Sequence, residues 1–201
     1  MKSIKVNDPL GQSEVNKNYE ARRINEVIVA PLDYISDETT PTSVSIEFTK
    51  SLANIISTRT SINVIPISEN NIANINGDFI NGKQAISQKE RAVRLARQAS
   101  AQGVIYGTVK VPPNININDN AFLSSVAINL WLVDVNGSEL MWEFSYSDRN
   151  KSLSENILAI DQFMAKGGHS RSTKQMLDAG FSAAADELEV LRGSVFSFSG
   201  K

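Results

Sequence analysis

At 201 residues, 41% of them hydrophobic, the chain is long enough for one domain with a full core. A formal net charge of -2 gives no bulk electrostatic attraction to nucleic acid or to an anionic membrane. The absence of cysteine excludes disulfides, thiolate metal sites and thiol catalysis, and a single histidine excludes a multi-histidine metal cluster.

Residues 1–22 are polar, with Pro9, Gly11 and several Asn and Lys, and read as a flexible tether with no export signal visible after Met1. Ile24 to Leu32 (INEVIVAPL) is a short apolar run ended by Pro31, the pattern of a buried first strand. Asp33 to Thr42 reads as loop. From Ser43 the period turns helical: Phe48, Leu52, Ile55 and Ile56 form one apolar stripe, with Thr42 or Ser43 as its cap. Ser61 to Ile67 is the next strand, with Pro66 at its end or on an edge. Glu69 to Ala85, rich in Asn and Gly, reads as a surface excursion.

Ser87-Gln88-Lys89-Glu90 is a capping box, and the helix behind it carries Val93, Ala96 and Ala99 inward. Gly103 suits the left-handed position that ends such a helix. Arg91, Arg94 and Arg97 read as its solvated face. Val104 to Val111 is a strand in which Gly107 signals a bulge or a close backbone neighbour. Pro112 to Asn120 is a polar loop tip.

The segment VAINLWLVDVNGSELMWEFSY, Val126 to Tyr146, organises the chain. Asn136-Gly137 between two alternating runs predicts a hairpin with a two-residue type I′ turn. That register sets Val133 opposite Leu140 and Trp131 opposite Trp142, so the two tryptophans share a face with Phe144. Val126, Ile128, Leu130, Leu132 and Met141 take the other face. Both faces are apolar, so the hairpin is expected to lie inside, with something packed on each side. Asp134 and Glu139 face one another near the tip.

Leu153, Ile157, Ile160 and Met164 form a further helical stripe, broken at Gly167-Gly168. Ser172-Thr173-Lys174-Gln175 is a second capping box. The helix it starts buries Met176, Phe181, Ala184, Leu188 and Leu191 and ends at Gly193. Residues 194–201 are a tail with Phe196 and Phe198 on one side. The order predicts a single α/β domain over 23–193: a mixed sheet of about five strands, a β-hairpin in its C-terminal half, and helices packed on it.

Little here points to catalysis. No nucleophile elbow, P-loop or dinucleotide fingerprint occurs. His169 lies in the glycine-broken loop and reads as exposed. Asp33, Asp37 and Glu38 cluster after the first strand, where carboxylates can do acid–base work or hold a divalent ion. A polar loop with the usual bias for acids before a helix start is the preferred reading of them. The expectation is a protein without catalysis, cofactor or metal, working by assembly.

EVIVAPLDYI, INVIPI, LARQASAQGVIYGTV and INLWLVDVNGSELMWEFSY, in that order, resemble the TolB-N-terminal/CsgG-like periplasmic domains. The closing segment, WEFSYSDRNKSLSENILAIDQFMAKGGHSRSTKQMLDAGFSAAADEL, is similar to that of PelC-type outer-membrane lipoproteins. That resemblance implies a lipid-anchored periplasmic protein at the outer membrane, forming a ring that works with an outer-membrane channel in exopolysaccharide export. Its partners would be other copies of itself and envelope machinery, with no nucleic acid and with membrane contact only through an N-terminal lipid anchor absent from this chain. With the tryptophan pair it marks Trp131, Trp142, Phe144, Asn156, Phe163, Gly167 and Gly168 as interface residues. Family members often place an aromatic after the glycine pair, where this chain has His169-Ser170-Arg171. The alternative of the same fold is an interaction module that regulates peptidoglycan synthesis (LpoB-like) or serves the flagellum at the outer membrane (FlgO-like).

Overall fold

The computed structural model describes residues 11–15, 24–35, 42–67, 87–111, 125–149 and 172–193. They form one mixed sheet with helices on both of its faces. The strands are β1 (Gly11–Val15), β2 (Glu26–Val29), β3 (Asp33–Ile35), β4 (Asn63–Val64), β5 (Gly103–Lys110), β6 (Ser125–Asp134) and β7 (Leu140–Arg149). The helices are α1 (Thr42–Arg59), α2 (Gln88–Gln98) and α3 (Thr173–Gly193). The sheet order is β1-β7-β6-β5-β2-β4, with β3 continuing along β5 beyond β2. β2, β3 and β4 run parallel to their partners, while β5, β6, β7 and β1 pair antiparallel in succession. The mixed α/β domain anticipated from element order is present. Two short strands add to it: Gly11–Val15 pairs with β7 inside the stretch read as tether, and Asp33–Ile35 is strand where loop was expected.

The alternation of side chains sorts the core into two layers. Val27, Val29, Ile105, Val109, Ile128, Leu130, Leu132, Trp142 and Phe144 pack beneath α1 and α3. Ile28, Ala30, Val104, Tyr106, Val133 and Val135 pack beneath α2. α1 contributes Phe48, Leu52 and Ile56, the stripe its period announced. α2 buries Ala92, Val93, Leu95 and Ala96, and its alanines allow close approach to the sheet. α3 buries Met176, Phe181, Ala184, Ala185 and Leu188.

Both capping boxes form. Ser87 accepts from the Glu90 N–H at 3.2 Å, and Glu90 accepts from the Ser87 N–H at 3.0 Å. Ser172 and Gln175 repeat the exchange at 3.2 and 2.9 Å. These motifs satisfy N–H groups that a helix start cannot pair internally. The end of α2 differs from expectation. Ala99 caps it and Ser100 takes the left-handed conformation at φ 55°, while Gly103 opens β5 with its α-carbon packed under Ile24.

The break between β2 and β3 shows how helix α1 holds a strand end. Ala30 still donates to the Ile105 carbonyl at 2.8 Å, and Pro31 has no N–H to offer. The Leu32 N–H donates to Thr49 Oγ1 at 3.0 Å, and Ser45 Oγ donates to the Leu32 carbonyl. The backbone groups that leave the ladder are thus met by the first turns of α1.

The hairpin departs from the predicted geometry in two ways. The Asp134 N–H donates to the Glu139 carbonyl at 3.0 Å, enclosing a four-residue loop, and the positive φ of 51° falls on Ser138. Asn136 has no positive φ, so the turn is not type I′. Asp134 does sit opposite Glu139, joined to it by that backbone bond. Its carboxylate turns into the loop and accepts from the Asn136 and Gly137 N–H groups, each at 3.2 Å. The register then slips. Val133 opposes Leu140 as expected, but Leu132 opposes Trp142 and Trp131 opposes Glu143. Met141 is the extra residue of a β-bulge, and beyond it every β7 side chain has changed sides relative to the simple reading. The two tryptophans therefore lie on opposite faces of the sheet.

Candidate functional site

The bulge decides what each tryptophan does. Trp142 joins Met141 in the layer under α3, is fully buried, and stacks on Phe144 with ring centroids 5.6 Å apart. Its Nε1 donates to Glu187 Oε1 on α3 at 2.9 Å, which supplies the one polar partner a buried indole requires. Trp131 lies on the α2 side, only partly buried, and stacks on Tyr106 with centroids 5.4 Å apart and planes 25° from parallel. Of the interface residues expected from sequence, Trp142 and Phe144 are thus sealed within this chain's own core, while Trp131 remains partly accessible. Asn156, Phe163, Gly167 and Gly168 lie outside the described residues, as do His169, Asp37 and Glu38.

The α2 face of the sheet is graded along the strands. The row Val104–Val133–Leu140 is covered by α2. The next row is Tyr106–Trp131–Glu143. Burial holds the Tyr106 phenol protonated to higher pH than usual, and the Glu143 charge adds to that. The row after it is polar: Ser145 Oγ donates to Asn129 Oδ1 at 2.9 Å, and Asn129 Nδ2 reaches Thr108 Oγ1 at 3.5 Å. Lys110 and Ser147, in the last row, are exposed. Trp131 therefore stands where the covered apolar sheet gives way to a hydroxyl and amide surface. The sequence signal for this face was present as the odd-numbered residues of β6, but a register without the bulge assigned Trp142 and Phe144 to it.

A small cavity of about 30 Å³ opens beside Tyr106, lined by Ala30, Pro31, Asp33, Gln88, Arg91, Ala92 and Leu95. It has room for about two waters. Asp33, the one described member of the carboxylate trio, pairs there with Arg91 at 3.1 Å. Burial raises the Asp33 pKa above its ordinary value of 3.8, and Arg91 only partly opposes this. Glu90 moves the other way, lowered by its hydrogen bonds to the Ser87 cap. Their linkages have opposite signs. Asp33 holds its proton more tightly when folded, so its contribution is greatest in acid and is lost as pH rises from about 3.8 through the raised value. Glu90 contributes above 4.5 and loses that contribution as pH falls. Asp33→Asn is expected to flatten the first dependence and Glu90→Gln the second. Urea midpoints measured across the mildly acidic range check both, and equal pH profiles for the two variants would overturn the assignment.

Among the described residues no group of three or more His, Cys, Asp or Glu is placed to hold a metal ion. No described helix is long and apolar enough to cross a membrane.

No family model matches the sequence, and no curated protein matches it by sequence. Solved structures do match. The subunit of a PelC dodecamer from Paraburkholderia phytofirmans aligns with TM-score 0.52 at 12% identity, covering 90% of this chain and 98% of that one. The C-terminal domain of LpoB from Salmonella enterica aligns at 0.41 and 15% identity, over 62% and 82% of the two proteins. A lipoprotein from Neisseria meningitidis aligns at 0.40 and 18% identity, over 70% and 96%. The protein has a PelC-like fold.

Proposed function

We propose that this protein is non-catalytic, periplasmic and tethered to the outer membrane, that it assembles into a ring of its own copies, and that the ring supports exopolysaccharide export. The observation that carries the reading is the correspondence of fold with the PelC subunit across nearly all of both sequences, that subunit having been solved as a dodecamer. The residues agree with it. A ring requires two different surfaces of one domain to meet. The sheet offers dissimilar ends, β1 on one side and the two-residue β4 on the other. Pro66 lies just past β4 and removes a backbone donor from that margin, which limits pairing by strand addition and favours contact through side chains. Trp131, partly buried beside a polar surface, is the aromatic we assign to contact with an envelope partner.

Light scattering on the purified protein tests the ring. The expected mass is a high multiple of the 201-residue subunit. A monomer at all concentrations would remove the self-assembling ring from the proposal.

A further inference from the structure

The Asn136-Gly137 pair that sets the hairpin tip also has a chemistry that the fold does not use. We propose that Asn136 is a site of spontaneous modification, converted to aspartate and isoaspartate through a cyclic imide, and that the Asp134 carboxylate is the positioning group that slows this conversion.

The step balances without any cofactor. The Gly137 backbone nitrogen gives up its proton to hydroxide and attacks the amide carbon Cγ of Asn136. A new bond from that nitrogen to Cγ closes the five-membered imide, and the bond from Cγ to Nδ2 breaks to release ammonia. Water then opens the ring at either carbonyl, giving aspartate or, with the backbone rerouted through Cβ and Cγ, isoaspartate. Glycine at the following position leaves the attacking nitrogen unshielded by any Cβ. Both residues are exposed, so hydroxide and water have access.

The loop geometry works against ring closure. Asp134 accepts from the Asn136 N–H through Oδ1 and from the Gly137 N–H through Oδ2, both at 3.2 Å. The second of these holds the nitrogen that must attack and fixes its orientation within the turn. Asp134 is itself only 6% exposed, so the acceptor does not swing freely. Arg97 Nη2 stiffens the same loop, donating to the Val135 carbonyl at 3.4 Å and to Ser138 Oγ at 3.3 Å. Hydrogen bonds to a charged group are worth roughly a factor of ten or more. The conversion in the folded protein should therefore run about tenfold slower than in the unfolded state. Its product matters to the tip: isoaspartate adds a backbone methylene to a loop closed by the Asp134–Glu139 pair, and either product adds a negative charge beside Asp134.

The test is incubation of the full-length protein at mildly alkaline pH, followed by peptide mass spectrometry and enzymatic isoaspartate detection. The readout is taken peptide by peptide, since Asn76-Gly77 and Asn81-Gly82 carry the same pair. Expected is an amide-to-acid mass gain in the peptide bearing Asn136, absent from that peptide in Asn136→Gln, about tenfold faster in urea-unfolded protein and similarly faster in folded Asp134→Ala. Circular dichroism identifies whether Asp134→Ala is folded. If it is not, Arg97→Ala, which frees the loop without touching the turn acceptor, is expected to show a smaller acceleration. No gain at Asn136 in the unfolded wild type would overturn the site. Equal rates in folded and unfolded protein would overturn the control by Asp134.

Discussion

Gly107→Ala is expected to destabilise the protein by about 3 kcal/mol or more, at or above the upper end of the usual cost of overpacking. A Cβ on Gly107 would lie 2.2 Å from the Asn129 carbonyl oxygen and 2.7 Å from Leu130 Cδ2. The first of these is backbone in the adjacent strand of the β5–β6 ladder. It cannot move without opening the pairing that joins the parallel half of the sheet to the hairpin. Gly180 offers the internal comparison. Its Cβ would meet Ile128 Cδ1 at 2.6 Å and Tyr146 Cδ1 at 2.7 Å, neither of them a backbone atom. Ile128 Cδ1 is the end of a flexible side chain and can rotate away, the buried Tyr146 ring must shift, and alanine in a helix interior recovers about 1 kcal/mol over glycine. Gly180→Ala is therefore expected to cost less, about 1–2 kcal/mol. Urea denaturation of the two variants beside wild type measures the difference. Equal losses would show that the β5–β6 approach is softer than the geometry states.

What was legible in the sequence was whatever a few neighbouring residues decide among themselves. Both capping boxes are four-residue exchanges, and they form as read. The α1 stripe and the interleaving of strands and helices rest on periodicity and length, and they too are present. The close neighbour signalled by Gly107 is Asn129 of β6. What failed was decided at longer range. Leu140-Met141-Trp142 is apolar throughout, so alternation cannot say which residue is the extra one. The bulge is fixed only by which side chains the two layers accept. Gly11–Val15 (GQSEV) has no apolar alternation, so its place beside β7 left no trace in its own residues. Gly103 was read as a helix stop because glycine favours that position. The stop went to Ser100 because Gly103 is needed where Ile24 and Leu132 crowd its α-carbon. The resemblance to PelC-type proteins located the fold, yet two of the interface residues it marked serve the protein's own core.

Trp142→Ala separates those two roles. The indole is fully buried, and truncation of a buried tryptophan costs about 3–5 kcal/mol through lost burial and the void it leaves. Here the loss extends to both neighbours: Phe144 gives up its stacking partner, and Glu187 gives up the indole N–H it accepts at 2.9 Å. The carboxylate, on the half-buried side of α3, then faces the void, and α3 loses a tie to β7. Trp142→Phe keeps most of the volume and removes only the hydrogen bond and the second ring, so a loss of about 1–2 kcal/mol is expected. If Trp142 were chiefly a contact between subunits, the ordering would change. The isolated subunit would keep its stability and only assembly would fail. Calorimetry alongside light scattering distinguishes these outcomes. A core role predicts a lowered melting temperature in Trp142→Ala, with any loss of assembly following from it. Trp131→Ala, on the half-open face, supplies the contrast: it gives up the Tyr106 stack at a cost of about 1 kcal/mol, and a larger effect on partner binding than on melting would mark that face as the one that works outside the subunit.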